Sequence, residues 1–386
     1  MKMSIYKKLL FSASCCVILA NIYYAQPILS AIAADLGLEQ SVSGMIVSLT
    51  QAGYCLGVLL LVPLGDSLEN KKLVLILVLC ATGALLLGSF SRSVPMFFLS
   101  TFLVGASSCA VQIILPMGIG LASEKERGGF AGMMMAGAIL GIVLSRPVAS
   151  LITDLAGWRA VYLTAACMTA LLVVLMSRHF PRKFSSQERL SYMEILRSMV
   201  RLMSTVTGLW PRLFIMFSVF AAFTMFWSTA PLYLREAGFS HTDIALLSLT
   251  SLIAPLCALL AGQMVDRGLG YQTVMVSTAM MATAFLLPFG LGTCSFMMIV
   301  MILMLEPGAH MTNVVTQQTV LLQNAEARSR LNALCICFNI SGGALGACLG
   351  PWLYIRTNWN VVVAVGGFLG AVGFLLNWYA NRLQSE

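Results

Sequence analysis

The sequence predicts an all-α membrane protein with twelve transmembrane helices in two pseudo-symmetric six-helix bundles. Three observations lead there. Only 10% of the 386 residues are charged and 59% are hydrophobic, whereas soluble domains carry about 25% charged residues. Mainly apolar stretches long enough to cross a hydrocarbon core of about 30 Å as a helix recur along the whole chain. Residues that open and close these stretches recur about two hundred positions apart. The alternating segments of about ten residues that a membrane β-barrel needs are absent.

The apolar stretches, taken in order, predict spans over 9–33, 42–64, 72–91, 95–121, 129–152, 158–178, 209–233, 242–264, 271–292, 295–322, 331–354 and 359–380. The first has the outline of a signal peptide, with Lys7 and Lys8 ahead of an apolar run and "AIA" at 31–33. It is too long for one, and it reads as the first crossing. Counted off across twelve spans, 18 of the 23 Lys and Arg fall on the face that holds both termini. Arg92, Arg159, Arg235 and Arg356 fall on the other face, and Arg146 lies inside a span. Basic loops stay cytoplasmic, so both termini are expected in the cytoplasm and the chain in a bacterial inner membrane. The net charge of +8 is explained by these loops, and no nucleic-acid partner is expected.

The repeat is read from paired positions. Asp66 and Asp266 each end a span, 200 residues apart; Arg127 and Arg328 each open one, as do Trp158 and Trp359, both pairs 201 apart. "SLT" stands at 48–50 and again at 248–250, and Pro27 is matched by Pro231, 204 later. The expected organisation is a bundle over 1–178, a cytoplasmic linker over 179–208 and a second bundle over 209–386. Transporters built from parallel repeats bind substrate at the repeat interface near the midplane. In the linker, Ser185 and Glu188 have the spacing of a capping box. Leu190, Met193, Leu196, Val200 and Met203 share one helical face, with Glu194, Arg197 and Arg201 opposite. This predicts an amphipathic helix at the cytoplasmic surface, the alternative being a solvated linker.

Six plus six helices with a basic central loop resemble the major facilitator superfamily. That family carries Gly-x-x-x-Asp-Arg-x-Gly-Arg-Lys/Arg after its second helix. The first half here keeps Asp66, Lys71 and Lys72; the second keeps Gly262, Asp266 and Arg267. Gly157-Trp158-Arg159 and "NIYYAQPIL" at 21–29 resemble bacterial drug:proton antiporters and efflux permeases of the superfamily. The family's Arg in the fourth helix is Thr101 here, and its Gly-Pro in the fifth is Ser145-Arg146 ahead of Pro147. Asp66 with Lys71, and Asp266 with Arg267, are expected to form gating contacts that make and break between conformations. A carboxylate at a helix end also faces the partial positive charge of a neighbouring helix N-terminus.

"MLEPGAHM" at 304–311 holds the candidate coupling site. With a span opening near Phe296, about 1.5 Å of rise per residue puts Glu306 close to the midplane. A bare carboxylate there is costly, so it is expected neutral or paired, and functional. His310, Asn313 and Gln317 continue the same helical face, and Pro307-Gly308 is expected to kink the helix. The alternative is a Glu–His pair that only joins two helices. The resemblance places the first, fourth, seventh and tenth helices around the substrate cavity. The substrate-binding candidates are then Asn21, Tyr24, Gln26, Gln112, Trp227, Asn313 and Gln317, joined by Ser107, Ser108, Thr224 and Ser228. Arg146 is expected to snorkel outward or to make a structural pair.

Enzyme readings fail, since no Gly-x-Ser-x-Gly, His-Glu-x-x-His or phosphate-binding loop occurs. The cysteines are scattered through the spans, so neither metal nor disulfide is expected, and no cofactor is called for. A receptor would bring a soluble signalling domain, and a channel has no need of two gated halves. Without a nucleotide site, energy must come from ions. The resulting expectation is a monomeric, proton-coupled exporter of a small organic compound, its partners the substrate, protons and the lipid bilayer. The alternative is a proton-coupled uptake symporter or facilitator for a small metabolite or sugar. Should Glu306 prove structural, Asp35 and Asp243 at the outer helix ends are the next acids in line.

Overall fold

A computed structural model describes residues 4–66, 68–122, 127–181, 192–291, 295–323 and 327–385. The regular elements among them are helices, as a bilayer requires, because a helix satisfies its own backbone polar groups where no water can. The first crossing departs from the sequence expectation. It is two helices, α1 (Ile5–Ala20) and α2 (Leu29–Leu36), joined by turns and a short 3-10 segment at Gln26–Ile28. Pro27 stands in that segment, where it lacks an N–H and crowds the carbonyl four residues back. The interruption gives the predicted 9–33 span two axes rather than one.

Eleven further helical stretches are long and apolar enough to cross a membrane. In the first half they contain α3 (Met45–Leu60), α4 (Asn70–Ser89), α5 (Val94–Ser108) with α6 (Val111–Ile119), α7 (Arg127–Ala156) and α8 (Trp158–His179). After α9 (Tyr192–Thr205) come α10 (Leu209–Glu236), α11 (His241–Ser248) with α12 (Ala254–Asp266), α13 (Gly270–Leu291), α14 (Ser295–Leu322), α15 (Arg328–Arg356) and α16 (Trp359–Ser385). Pro231 repeats the place of Pro27 but leaves α10 unbroken; from Val219 to Leu232 this helix is buried on every face. Packed neighbours hold a proline-containing helix together in this way.

By internal contacts the chain forms two compact units. Met1–Leu38, Leu49–Leu190 and Phe239–Ala245 make the first; Glu39–Ser48, Ser191–Gly238 and Leu246–Glu386 make the second. In the first unit, a side chain at Gly137 or Gly141 of α7 would collide with the Ser12 or Cys16 carbonyl of α1. In the second, Gly342 and Gly346 of α15 meet the Phe217 and Ala221 carbonyls of α10 in the same way. The two glycine pairs stand 205 positions apart, and so do the carbonyls they meet. Small residues four apart let transmembrane backbones approach closely, and this seam is common to both units.

In the linker, α9 begins at Tyr192; the Ser185–Glu188 capping box lies outside the described residues. Among the described side chains of α9, Met199 and Leu202 are buried, and Val200 is 69% exposed. Of the predicted apolar face, Val200 points outward and Met203 is half-buried; the side chains of Leu190, Met193 and Leu196 lie outside what is described.

Candidate functional site

In the second unit the site is built on α14. Glu306 is fully buried and His310 nearly so, with Nε2 3.1 Å from Glu306 Oε2, one helical turn away. Phe223 of α10 sets its ring edge-on to the imidazole at 5.8 Å. α14 runs unbroken through Pro307, so the expected kink does not interrupt it. Pro307 has no N–H to offer the Leu303 carbonyl. Gly308 has a second use: a Cβ there would come within 3.0 Å of the Ser277 carbonyl and of Met281 in α13. Ser277 and Thr312 bond across the same seam at 2.7 Å.

The rest of the stripe divides. Gln317 Nε2 donates to Asn332 Oδ1 of α15 at 2.6 Å, so it joins two helices. Asn313 is half-buried and its Oδ1 accepts no hydrogen bond from the protein. On α10, Thr224 donates to the Gly343 carbonyl at 2.8 Å. Trp227 is buried edge-on to Phe226, and Ser228 is fully buried.

The first unit gathers a second polar group. Arg146 of α7 is completely buried, and its Nε donates to Gln26 Oε1 at 3.3 Å. It does not snorkel; a guanidinium kept from water and held by an amide is the paired alternative. The break between α1 and α2 places Gln26 there. Asn21 and Tyr24, from the same break, are both buried, and neither end of the Asn21 amide meets a protein partner. Gln112 of α6 donates to Tyr54 Oη at 2.7 Å. Ser107 and Ser108 bond back to carbonyls of their own helix. Sequence reasoning missed Gln51 of α3, which is 0% exposed with both amide atoms unsatisfied. Buried amides nearly always have partners, so two such groups in one unit mark places for water or ligand. The only sequence signal was a lone amide in the apolar run "SLTQAGY".

The residues that the sequence reading assigns to gating lie at or near helix ends. Asp66 closes a 3-10 turn at Val62–Asp66 and Asp266 closes α12, but the side chains of both lie outside what is described. Lys71 is half-buried in the first turn of α4. The ion pair present at this corner joins Lys72 to Glu69 at 3.4 Å, with Glu69 buried; the sequence reading did not single out Glu69. Arg267 is exposed and closes α12 through its N–H to the Gln263 carbonyl. The two reserve acids have structural partners. Asp35 pairs with Arg159 at 2.6 Å, and that guanidinium also reaches the Ser91 carbonyl and covers the Trp158 ring. Asp243 and Ser240 exchange side-chain and backbone bonds in a capping box that opens α11.

The repeat shows what is special about Glu306. It stands 201 positions after Gly105, the offset of Trp158 and Trp359. A side chain at Gly105 would collide with the Thr50 carbonyl of α3. Where one unit has a seam closed by glycine, the other places a carboxylate.

A family model for the Major Facilitator Superfamily matches residues 10–334. The chain is 32% identical over 371 residues to the uncharacterized transporter YgaY of Escherichia coli O157:H7, covering 95% of this chain and 93% of that one. It is 23% identical over 259 residues to the purine ribonucleoside efflux pump NepI of Shigella sonnei, covering 63% and 61%. Among solved structures, a nucleoside transporter matches with a TM-score of 0.76 at 11% identity, over 97% of this chain and 99% of that one.

Proposed function

The chain belongs to the Major Facilitator Superfamily, a multi-pass membrane transporter of small molecules, and within it we propose a proton-coupled exporter working by alternating access. One observation carries this reading: a wholly buried carboxylate at the middle of α14 with an imidazole nitrogen 3.1 Å away. Ionisable groups inside a membrane are expensive to keep and mark proton relays by default. Glu306 is the proton carrier and His310 tunes it or relays for it. One proton entering at about 100 mV releases about 2.3 kcal/mol, and one pH unit adds about 1.4. The total of about 3.7 kcal/mol sustains a gradient near 500-fold for a neutral solute. A single titrating site therefore suffices.

Candidate substrate-binding groups occur in both units. Asn21, Gln51 and Asn313 offer amide atoms without protein partners. Tyr24 and Trp227 supply aromatic surface, and Gln26, Gln112 and Gln317 complete the polar set at the cost of their present bonds. Apolar walls with a few placed polar groups suit an amphipathic or neutral organic compound, and the efflux of purine ribonucleosides by a relative supports that class and direction. Asp66 with Lys71 and Asp266 with Arg267 are the gates. The basic face, with both termini and the linker, belongs in the cytoplasm of a bacterium.

Proteoliposomes under an imposed pH gradient, challenged with a compound set that includes purine ribonucleosides, provide the test. Export coupling requires substrate-evoked proton movement opposite to the substrate. Movement of both in one direction would replace export by symport.

A further inference from the structure

We propose that the second unit holds a phosphate-group site around Arg212, remote from the coupling site and taking either an anionic lipid headgroup or free phosphate. The helices α10, α13, α14 and α16 enclose a cavity of about 70 Å³ near one end of that unit. A single water needs roughly 10–15 Å³ on this measure, so the space admits an anion of several heavy atoms. Arg212 lines it and is 6% exposed. Its Nη1 donates to the Gly208 carbonyl at 2.8 Å, a contact that Gly208 permits by taking φ 69° and having no side chain. Among the described residues lining the cavity, none is acidic. A buried cation without a countercharge is strongly disfavoured, and the guanidinium fork has further donors suited to phosphate oxygens.

Two independent features point the same way. Thr316 of α14 is 3% exposed, lines the cavity and has a hydroxyl with no protein partner. Gly270 opens the 22-residue α13 at the cavity wall. Its first N–H groups carry the partial positive charge that binds anions. Tyr271 and Asn381 add a phenol and an amide, and Asn381 is exposed at the rim. Every polar group named can donate to an anion. Thr316 lies ten residues beyond Glu306, about 15 Å along the helix, so this site is separate from the proton carrier and stands whether or not that reading holds.

The test uses the full-length protein in nanodiscs. One arm adds millimolar inorganic phosphate, against chloride, in phosphatidylcholine discs; the other compares phosphatidylglycerol with phosphatidylcholine discs. A site filled at a hundred times its Kd should raise the melting temperature of a chain this long by about 3 °C. Wild type should show that rise in one arm, which identifies the source, and native mass spectrometry should retain one phosphate or one phosphatidylglycerol. Arg212→Gln and Thr316→Val should each lose it, and Arg212→Lys should keep part. Thr316→Val breaks no protein hydrogen bond, so it should fold even where Arg212→Gln does not. No rise in either arm, or an equal rise in wild type and Thr316→Val, would overturn the proposal.

Discussion

Glu306 and Arg146 are the two fully buried charged side chains whose surroundings differ most in kind. Glu306 has an imidazole nitrogen at 3.1 Å. Arg146 bonds to the amide of Gln26, which does not titrate. The carboxylate–imidazole pair is the arrangement suited to moving a proton. Glu306→Gln keeps the shape and removes titration, so it should abolish proton-driven accumulation in proteoliposomes while downhill exchange persists. A variant that still pumps against a gradient at the normal rate would make Glu306 structural. Since Asp35 and Asp243 are engaged with Arg159 and Ser240, the search would then turn to acids at the gates. His310→Ala should displace the pH optimum of transport without uncoupling it. Arg146→Met strands the Gln26 acceptor and should lower stability by about 1–3 kcal/mol. Adding Gln26→Leu should restore part of that loss, as a thermal-unfolding double-mutant cycle would register. Full additivity would mean that the bond contributes nothing.

Helices are the most legible level of this protein, because a bilayer admits few alternatives to a long apolar helix. Arg127, Trp158, Arg328 and Trp359 each open a helix at the position their spacing predicts. What is not legible depends on neighbours. Pro27 and Pro231 are alike in sequence, yet one stands in a break and the other within a continuous helix, because α10 is buried all round. Gln51 reads as an ordinary amide until its burial is known, and the pairing of Gln317 with Asn332 needs the register of α14 against α15. Val200 follows the amphipathic pattern of α9 and still points outward. The glycine seams are visible in sequence only as glycines four apart; which carbonyls they meet is a property of packing. They carry a direct test. Gly346→Ala drives a Cβ into the Ala221 carbonyl and should cost about 1–3 kcal/mol as helices shift to relieve it. Gly83, in α4, faces nothing within 4 Å, and Gly83→Ala should instead gain about 0.5–1 kcal/mol. Melting temperatures of the two purified variants should move in opposite directions.

For the molecule as a whole, the repeat supplies a scaffold used twice and a chemistry used once. The glycine seams recur at an offset of 205, and the carboxylate appears in one copy where the other has Gly105. Such a division suits a machine in which both units move while one carries the ion. Asp66 and Asp266 follow the repeat, so if they gate as proposed, their effect should fall on conformational rate. Asp266→Asn should slow turnover more than it weakens substrate binding; lost binding at an unchanged conformational rate would move Asp266 into the binding site. Orientation follows from the charges of the whole chain. Counted along the twelve predicted spans, eighteen basic residues against four give the segregation expected to fix topology during insertion. The native cysteines lie largely within the spans, several of them buried, so single reporter cysteines should be introduced after their removal. A reporter in Tyr192–Thr205 should react with an impermeant maleimide only in inverted membrane vesicles. Reporters at Arg92, Arg235 and Arg356 should react in intact cells. Since one loop reversed would reverse every crossing after it, labelling of the linker from outside would overturn the orientation, and with it the direction proposed for proton movement through Glu306.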